Sequence, residues 1–472
     1  MSLIFPRYVL LLLCPLLIFP ISSVMAQTAS LTAHEIVSSD KISDIASCTG
    51  NLCDLHLEEV LRMALERNRT VISSSQQVEV AEGQVAQARS IISTRLTGRF
   101  TQTRLDDVGS ANFGGRTITM GKKDVQKEYV EVAQPIFIGG KDKAAIASAR
   151  LGRSAAKAGH TFTSQQVLRK TIMTWMAWLF AREIEQVSRK DLELAQSHYD
   201  LLQARFRQKQ ASKFEVLRAE VRLAQARSKL RQENNNVDLA RLDLLNLLAL
   251  SPDLPIGTND RLIMQEFPTN LAQDASEAVN LREDIRLKRL EAHMALQGLR
   301  SARGEKQPSL NLYGQIGSED PSSKSGFGTL ERKSYWNAGL ALEVPIVDGG
   351  QRHGKIQEAT ARLKVARNSL QETLEKAQIE IRQALLSLQT AHEVVLAQKE
   401  ALKQAEEALR LAGVKYSNGL FTQVEMFDAE NAFLNTNLQY LQAVFAHHQA
   451  RVSYLLATGK LGRDLLDQAI VQ

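Results

Sequence analysis

Gln134-Pro135-Ile136-Phe137-Ile138-Gly139-Gly140 returns later in the chain as Val344-Pro345-Ile346-Val347-Asp348-Gly349-Gly350. The offset of 210 residues from Pro135 to Pro345 also carries Phe206 to Tyr416, Glu215 to Glu425 and Ala219-Glu220 to Ala429-Glu430. An offset shared by a turn motif and a distant second site marks a duplicated half-structure, since solenoid repeats run to only about 20–50 residues. The two halves are expected to fold alike and to lie side by side.

On the N-terminal side of each turn the sequence alternates with period two. Trp336, Ala338, Leu340, Leu342 and Val344 alternate with Asn337, Gly339, Ala341 and Glu343, and Leu310 and Leu312 with Asn311 and Tyr313. The first half carries Leu96, Gly98 and Phe100 against Thr97, Arg99 and Thr101, then Val130 and Val132 against Tyr129, Glu131 and Ala133. This is the pattern of strands with one apolar face. Polar loops, 106–123 and 317–333, join the two strands of each pair. Strands of about ten residues match the length that crosses a bilayer in a β-barrel, but four of them cannot close one. Either their apolar faces meet a globular core or several chains pool their strands, and the half-polar strands suit a shared barrel.

On the C-terminal side of each turn the period lengthens. Proline is absent from Ile136 to Ser251 and from Ile346 to Gln472, and glycine from His160 to Ile256, so nothing interrupts a helical pattern. A helix from about Lys141 to Gln208 would run on the order of 100 Å. In the second half Leu388, Val395, Leu402, Leu409 and Tyr416 recur every seven residues with Ala391, Gln398, Ala405 and Ala412 between them, which is a heptad seam. The first half repeats it with Trp178, Glu185, Leu192, Tyr199 and Phe206. Past the break at Ser417-Asn418-Gly419, a return helix steps through Val424, Phe427, Leu434, Leu441, His448 and Leu455. Each half therefore contains a long antiparallel helical hairpin. The alanine-rich seams bury little area per residue, so a lone hairpin is weakly held and an assembly is favoured.

Pro135 and Pro345 are read as strand ends, and Gly139-Gly140 and Gly349-Gly350 as the freedom with which the chain swings from tilted strand into helix. Gly349 to Lys355 also fits G-x-x-x-x-G-K, but Ile356 stands where a phosphate loop requires Ser or Thr, which argues against nucleotide binding.

The remaining features bound the compartment. Arg7, the apolar run from Tyr8 to Phe19 and Val24-Met25-Ala26 read as a secretory signal peptide ending near Ala26. A spanning helix is the alternative, and the run falls short of the roughly 20 residues it needs. Beyond it only Cys48 and Cys53 remain, so a local disulfide is expected in an exported chain, with free thiols as the alternative. The formal charge of +6 is spread over interleaved basic and acidic residues, which reads as a solvated helical surface and not as a nucleic-acid site. The histidines are scattered, and no nucleophile motif, metal cluster or cofactor motif emerges, so an enzyme is not expected.

The expected organisation is a signal peptide (1–26), an N-terminal segment (27–54), a first structural repeat (55–250), a linker (251–273), a second repeat (274–457) and a C-terminal tail (458–472). The fold class is mainly α with a small β part: long helical hairpins plus four strands per chain. A periplasmic coiled-coil structural protein without a membrane barrel is the alternative reading.

Taken together, the signal peptide, Leu57-Glu58-Glu59-Val60-Leu61-Arg62-Met63-Ala64-Leu65-Glu66-Arg67-Asn68, the paired strands, the Pro-x-x-x-Gly-Gly turns and the tip Tyr416-Ser417-Asn418-Gly419-Leu420 resemble the TolC family of outer-membrane efflux and secretion channels. The resemblance covers nearly all of the chain after the signal. It implies a homotrimer in which twelve pooled strands form a barrel in outer-membrane lipid and the helices form an α-barrel tunnel through the periplasm of a Gram-negative cell. It implies as partners a periplasmic adaptor (membrane fusion) protein and an inner-membrane transporter. By the same resemblance Glu425 and Asp428 form acidic rings at the periplasmic constriction, Tyr416 and Glu215 tie the closed tips, and Gly419, Leu420 and Thr422 dock the adaptor. Phe421 replaces a basic residue used for a second tie in the family, and Lys209-Gln210 replaces Gly419-Leu420 in the first tip. Drug efflux and type I protein secretion both remain open, because partner pumps choose the cargo.

Overall fold

The computed structural model describes residues 47–49, 52–108, 110–113, 115–119, 123–264, 271–320 and 332–462. The expected signal peptide and residues 463–472 of the expected tail lie outside the described residues. Two short strands, β1 (Ser47–Thr49) and β2 (Leu52–Asp54), lead into helices α1 (Leu57–Arg67) and α2 (Arg69–Ser90). Strand β3 (Arg95–Arg104), a small hairpin of β4 (Ser110–Phe113) and β5 (Arg116–Thr119), and strand β6 (Asp124–Ile138) follow. Helices α3 (Lys141–Arg207) and α4 (Lys213–Leu247) form the first long hairpin. After strand β7 (Ile256–Gly257) the series repeats as α5 (Leu271–Leu281), α6 (Glu283–Gly304), β8 (Ser309–Glu319), β9 (Lys333–Glu343), α7 (Gln351–Ser417) and α8 (Gln423–Ala457).

The duplication is visible in the element lengths. Helices α3 and α7 each span 67 residues and α4 and α8 each span 35, with all four boundaries displaced by 210. Before the strand loops, α1 and α2 of 11 and 22 residues match α5 and α6 of the same lengths at a displacement of 214. The four-residue difference lies between the strands, where polar loops tolerate changes of length.

Strands β3, β6, β8 and β9 form one antiparallel sheet in that order, leaving β3 and β9 as its edges. The register puts Leu96 opposite Val132, Val130 opposite Ile316, and Ile316 opposite Trp336, so the apolar residues of all four strands share one face. The face is bare: Leu96, Phe100, Trp336, Leu340 and Leu342 are each more than 60% exposed. The opposite face carries Arg99, Tyr129, Lys127, Glu131, Gln315, Tyr335 and Asn337. Along β6, Lys127, Tyr129, Glu131 and Ala133 are half-buried while Glu128, Val130 and Val132 are exposed, so the sheet presents its polar residues on the sheltered side.

Pro135 corrects one expectation, because it does not end its strand. It sits at a register shift between Pro135 and Phe137, after which β6 pairs with β8 through Ile138. Proline supplies no amide hydrogen to the ladder, and the extra residue of a bulge absorbs that loss. Pro345, in contrast, follows the end of β9 at Glu343. Gly139, Gly140, Gly349 and Gly350 all adopt the left-handed backbone region, with φ of 71, 74, 62 and 91°. That conformation stands directly before both long helices, and glycine accepts it without a Cβ penalty.

The main core gathers where the short helices meet the long ones. Leu55, Val60, Met63, Ile172, Trp175, Met176, Leu244, Leu245 and Leu455 are buried together, drawn from the lead-in to α1 and from α1, α3, α4 and α8. Side chains of this size contribute about 1.5–3 kcal/mol each on full burial. Asn68 joins two levels of the structure: its side-chain oxygen accepts from the Thr70 amide to start α2, and its nitrogen donates to the Leu247 carbonyl at 2.9 Å at the end of α4. The N-terminal segment is tied down by β2, which pairs in parallel with β7. Cys48 and Cys53 are register partners across β1 and β2. The Cα spacing of such a pair, about 4.5–5.5 Å, falls within the span of a disulfide.

Candidate channel gate at the hairpin tips

The two hairpin tips are built by one local recipe. At the second tip Leu420 N–H donates to the Lys415 carbonyl at 2.9 Å, and at the first Gln210 N–H donates to the Arg205 carbonyl at 2.8 Å. This six-residue closure requires a left-handed residue before it. Gly419 fills that position at φ 73°, but Lys209 fills it at φ 60° in the first tip, at a cost of about 1–2 kcal/mol. Leu420 is 74% exposed and stands at the turn of the tip.

Each return helix starts with a reciprocal capping box. Thr422 N–H and Oγ1–H donate to Glu425 Oε2 at 2.7 and 2.8 Å, while the Glu425 amide donates back to Thr422 Oγ1 at 3.3 Å. Ser212 and Glu215 repeat this at 2.6, 2.8 and 3.2 Å. The Thr422 backbone and side-chain hydrogen bonds hold the Glu425 carboxyl below the usual glutamate range, and those of Ser212 do the same for Glu215. Both acids are therefore fixed as anions by their own helix starts. Asp428, one turn beyond Glu425, is exposed on the same helix face.

Tyr416 sits deeper, at 9% exposure, packed with Ala412 and Met426. Its ring lies 5.8 Å from that of His198 and 5.4 Å from the Arg205 guanidinium. Burial pushes its phenol up, opposed by Arg205 and reinforced by the nearby charges of Glu215 and Glu430. Glu215 thus reaches Tyr416 electrostatically, while its carboxylate bonds Ser212. The direct tie expected between Tyr416 and Glu215 is replaced in this chain by the capping box. Phe421 packs on the Tyr416 cluster with Lys415 Nζ 4.8 Å over its ring, an apolar contact where the family resemblance implied a basic one.

The link between the two hairpins falls to residues that sequence reasoning did not single out. His198 of α3 approaches Glu430 of α8 at 2.8 Å and stacks near both Phe427 and Tyr416. Arg218 of α4 covers the Phe427 ring at 5.6 Å. Glu430 carried a signal in the sequence as the repeat of Glu220, and Phe427 as a step of the return-helix seam. The partner of Glu430 at 198 has no counterpart of its own, since the matching position is Ala408.

The description of outer membrane efflux proteins as a family matches residues 60–250 and 275–460, one match per half. This chain belongs to the outer membrane efflux protein family. It is 20% identical over 416 residues, 88% of each chain, to the outer membrane efflux protein BepC of Brucella suis biovar 1 (strain 1330). A shorter match, 24% identical over 241 residues and half of each chain, joins it to the cation efflux system protein CusC of Escherichia coli (strain K12). Its fold is that of the outer membrane protein VceC of Vibrio cholerae, with a TM-score of 0.71 at 21% identity, covering 85% of this chain and 96% of that one. Membership places the protein among the channels of the Gram-negative outer membrane. Among the described residues no helix is long and apolar enough to cross a membrane. The apolar face of the sheet is the surface suited to lipid.

Proposed function

We propose that the protein is the passive exit duct of a tripartite pump, a homotrimer working with a periplasmic adaptor and an inner-membrane transporter. The observation that carries the trimer is a junction used once inside the chain and left open at its ends. Within the chain, β6 pairs with β8, and α3 packs against α6. The duplication makes β9 the equivalent of β6 and α7 the equivalent of α3, yet neither finds the matching partner in its own chain. Gly139 shows the contrast most sharply. A Cβ there would lie 2.3 Å from the Gly304 carbonyl oxygen, whereas a Cβ at Gly349 would meet nothing within 4 Å. A neighbouring copy whose β3 pairs with β9 and whose α2 packs on α7 repeats the internal junction and removes both sheet edges. Three copies supply twelve strands, an even number compatible with closure.

On this reading Glu425 and Asp428 ring the periplasmic mouth, Tyr416 belongs to the contacts that hold the tips closed with Glu215 acting on it through charge alone, and Gly419, Leu420 and Thr422 present the adaptor-docking apex. Both small-molecule efflux and type I secretion fit such a duct, because the transporter selects the cargo. The deciding experiment is chemical cross-linking in detergent followed by single-channel recording in planar bilayers. A trimer with stepwise conductance supports the reading. A monodisperse monomer without conductance ends it.

A further inference from the structure

The polar face of the sheet carries a feature that the efflux reading leaves unassigned. The register aligns side chains across all four strands in rows. The row nearest the strand loops is Thr101, Lys127, Glu319 and Lys333, and the next is Arg99, Tyr129, Gly317 and Tyr335. Lys127 Nζ lies 5.9 Å from the centroids of both Tyr129 and Tyr335 and 3.1 Å from Glu319. The Arg99 guanidinium lies 5.8 Å from the Tyr129 centroid. Gly317, between the two tyrosines, admits no side chain: a Cβ would fall 2.6 Å from Tyr129 Cβ and 2.3 Å from the Glu128 carbonyl.

Two consequences follow from elementary electrostatics. Tyrosine faces attract cations, so Tyr129 and Tyr335 hold Lys127 and Arg99 at the sheet surface and limit their freedom to swing away. These two rows place Arg99, Lys127 and Lys333 against one carboxylate, Glu319, which leaves an excess of positive charge beside two half-buried tyrosine rings. The periplasmic tips carry the opposite sign, in Glu425 and Asp428.

We propose that these two rows form an anion-binding collar at the extracellular end of the duct, specific for solutes that join an anionic group to an aromatic body. Arg99 and Lys127 meet the anionic group, and the partly exposed tyrosine edges accept the ring. The collar rests on the trimeric duct, in which this face lines the lumen and three copies repeat the rows around it. A narrow lumen strengthens the effect, since charge rings set permeant-ion preference at constrictions. An outgoing anionic aromatic would pass from a periplasmic mouth that repels it to an exit that holds it, and the adaptor-coupled transporter would supply the drive past the first barrier.

The test uses the full-length trimer in planar bilayers, with 1-naphthalenesulfonate added from the side of the strand loops. Reversible block is expected in the parent protein. In Arg99→Gln with Lys127→Gln the half-blocking concentration should rise about tenfold and relative chloride permeability should fall about threefold, as expected from removing two charges per chain from a pore lining. Lys127→Arg should keep the block, and Lys127→Gln with Glu319→Gln controls for an unpaired carboxylate by losing block without a stranded anion. Unchanged block and permeability in the double cation variant, with normal unit conductance, overturns the collar and leaves the duct standing. Equal block by 1-naphthyltrimethylammonium overturns it as well. Absence of pores in the parent protein overturns duct and collar together.

Discussion

His198 of α3 and Glu430 of α8 meet at 2.8 Å across the boundary between the two helical hairpins, with side chains only 11% and 3% exposed. The approach lies off the hydrogen-bond line, so it is a close polar contact more than a directed bond. The duplication offers a second site for the same contact, with Glu220 in place of Glu430, but there Ala408 replaces the histidine. The seam inside each chain therefore carries a buried acid–base pair that the proposed seam between chains lacks. Opening is predicted to begin between chains. Glu430→Ala or His198→Ala leaves the remaining buried partner unsatisfied, at a cost of about 1–3 kcal/mol, and should raise the open probability of the pore. Single-channel recording of both variants and the double variant checks this; strictly additive effects would show that the two side chains act independently.

At the second hairpin tip, Glu425 and Asp428 are exposed on one face of α8, and Glu425 is held anionic by Thr422. Replacing both by alanine should shift the pore away from cations by about threefold. The measurement is the reversal potential under a potassium chloride gradient, and an unchanged value removes both residues from the constriction.

Adaptor docking should depend more on the second tip than on the first. Leu420 projects from a glycine turn, whereas Gln210 follows the strained Lys209. Leu420→Glu is expected to abolish pull-down of the adaptor while trimer yield stays normal, and Gln210→Glu to have a much smaller effect. The reverse ranking would refute the assignment.

Acid should weaken the body of the helical tunnel through His448. Its Nε2–H donates to the Ile263 carbonyl at 3.0 Å, and it is surrounded by His447 and Arg451 of its own helix. Burial, helped by those cations, lowers its pKa to about 4 from the ordinary value of 6.5. A histidine with a depressed folded pKa favours folding while neutral. Its contribution is therefore complete above about pH 6.5 and is lost as the pH falls towards 4, to a total of about 3 kcal/mol. Thermal unfolding of the detergent-solubilised protein should decline over that window, and His448→Gln should flatten the decline.

Much of the architecture could be read directly from residues. The offset that joins Pro135 to Pro345 anticipated paired helices of equal length, and the period-two runs around Val130 and Trp336 anticipated a sheet with one bare apolar face. The capping boxes Ser212-x-x-Glu215 and Thr422-x-x-Glu425 were equally open to reading, but a conspicuous tyrosine drew Glu215 toward a tie that its own helix start had already claimed. Pro135 was read as a strand end because a missing amide hydrogen looks the same in sequence whether the chain stops or bulges. The contact of His198 with Glu430 left no pattern at all: the partners lie 232 positions apart, and only the packing of one hairpin on the other brings them together.

The glycine pair at the top of each long helix separates two kinds of genetic failure. Gly139 is pressed against Gly304 within its own polypeptide, so a bulkier residue there spoils the protomer before it can join its siblings, and the allele should be recessive. Gly349 has open space before it; in the proposed trimer a protomer altered there still enters mixed rings, where one poor joint compromises sound neighbours, and the allele should behave as a dominant negative.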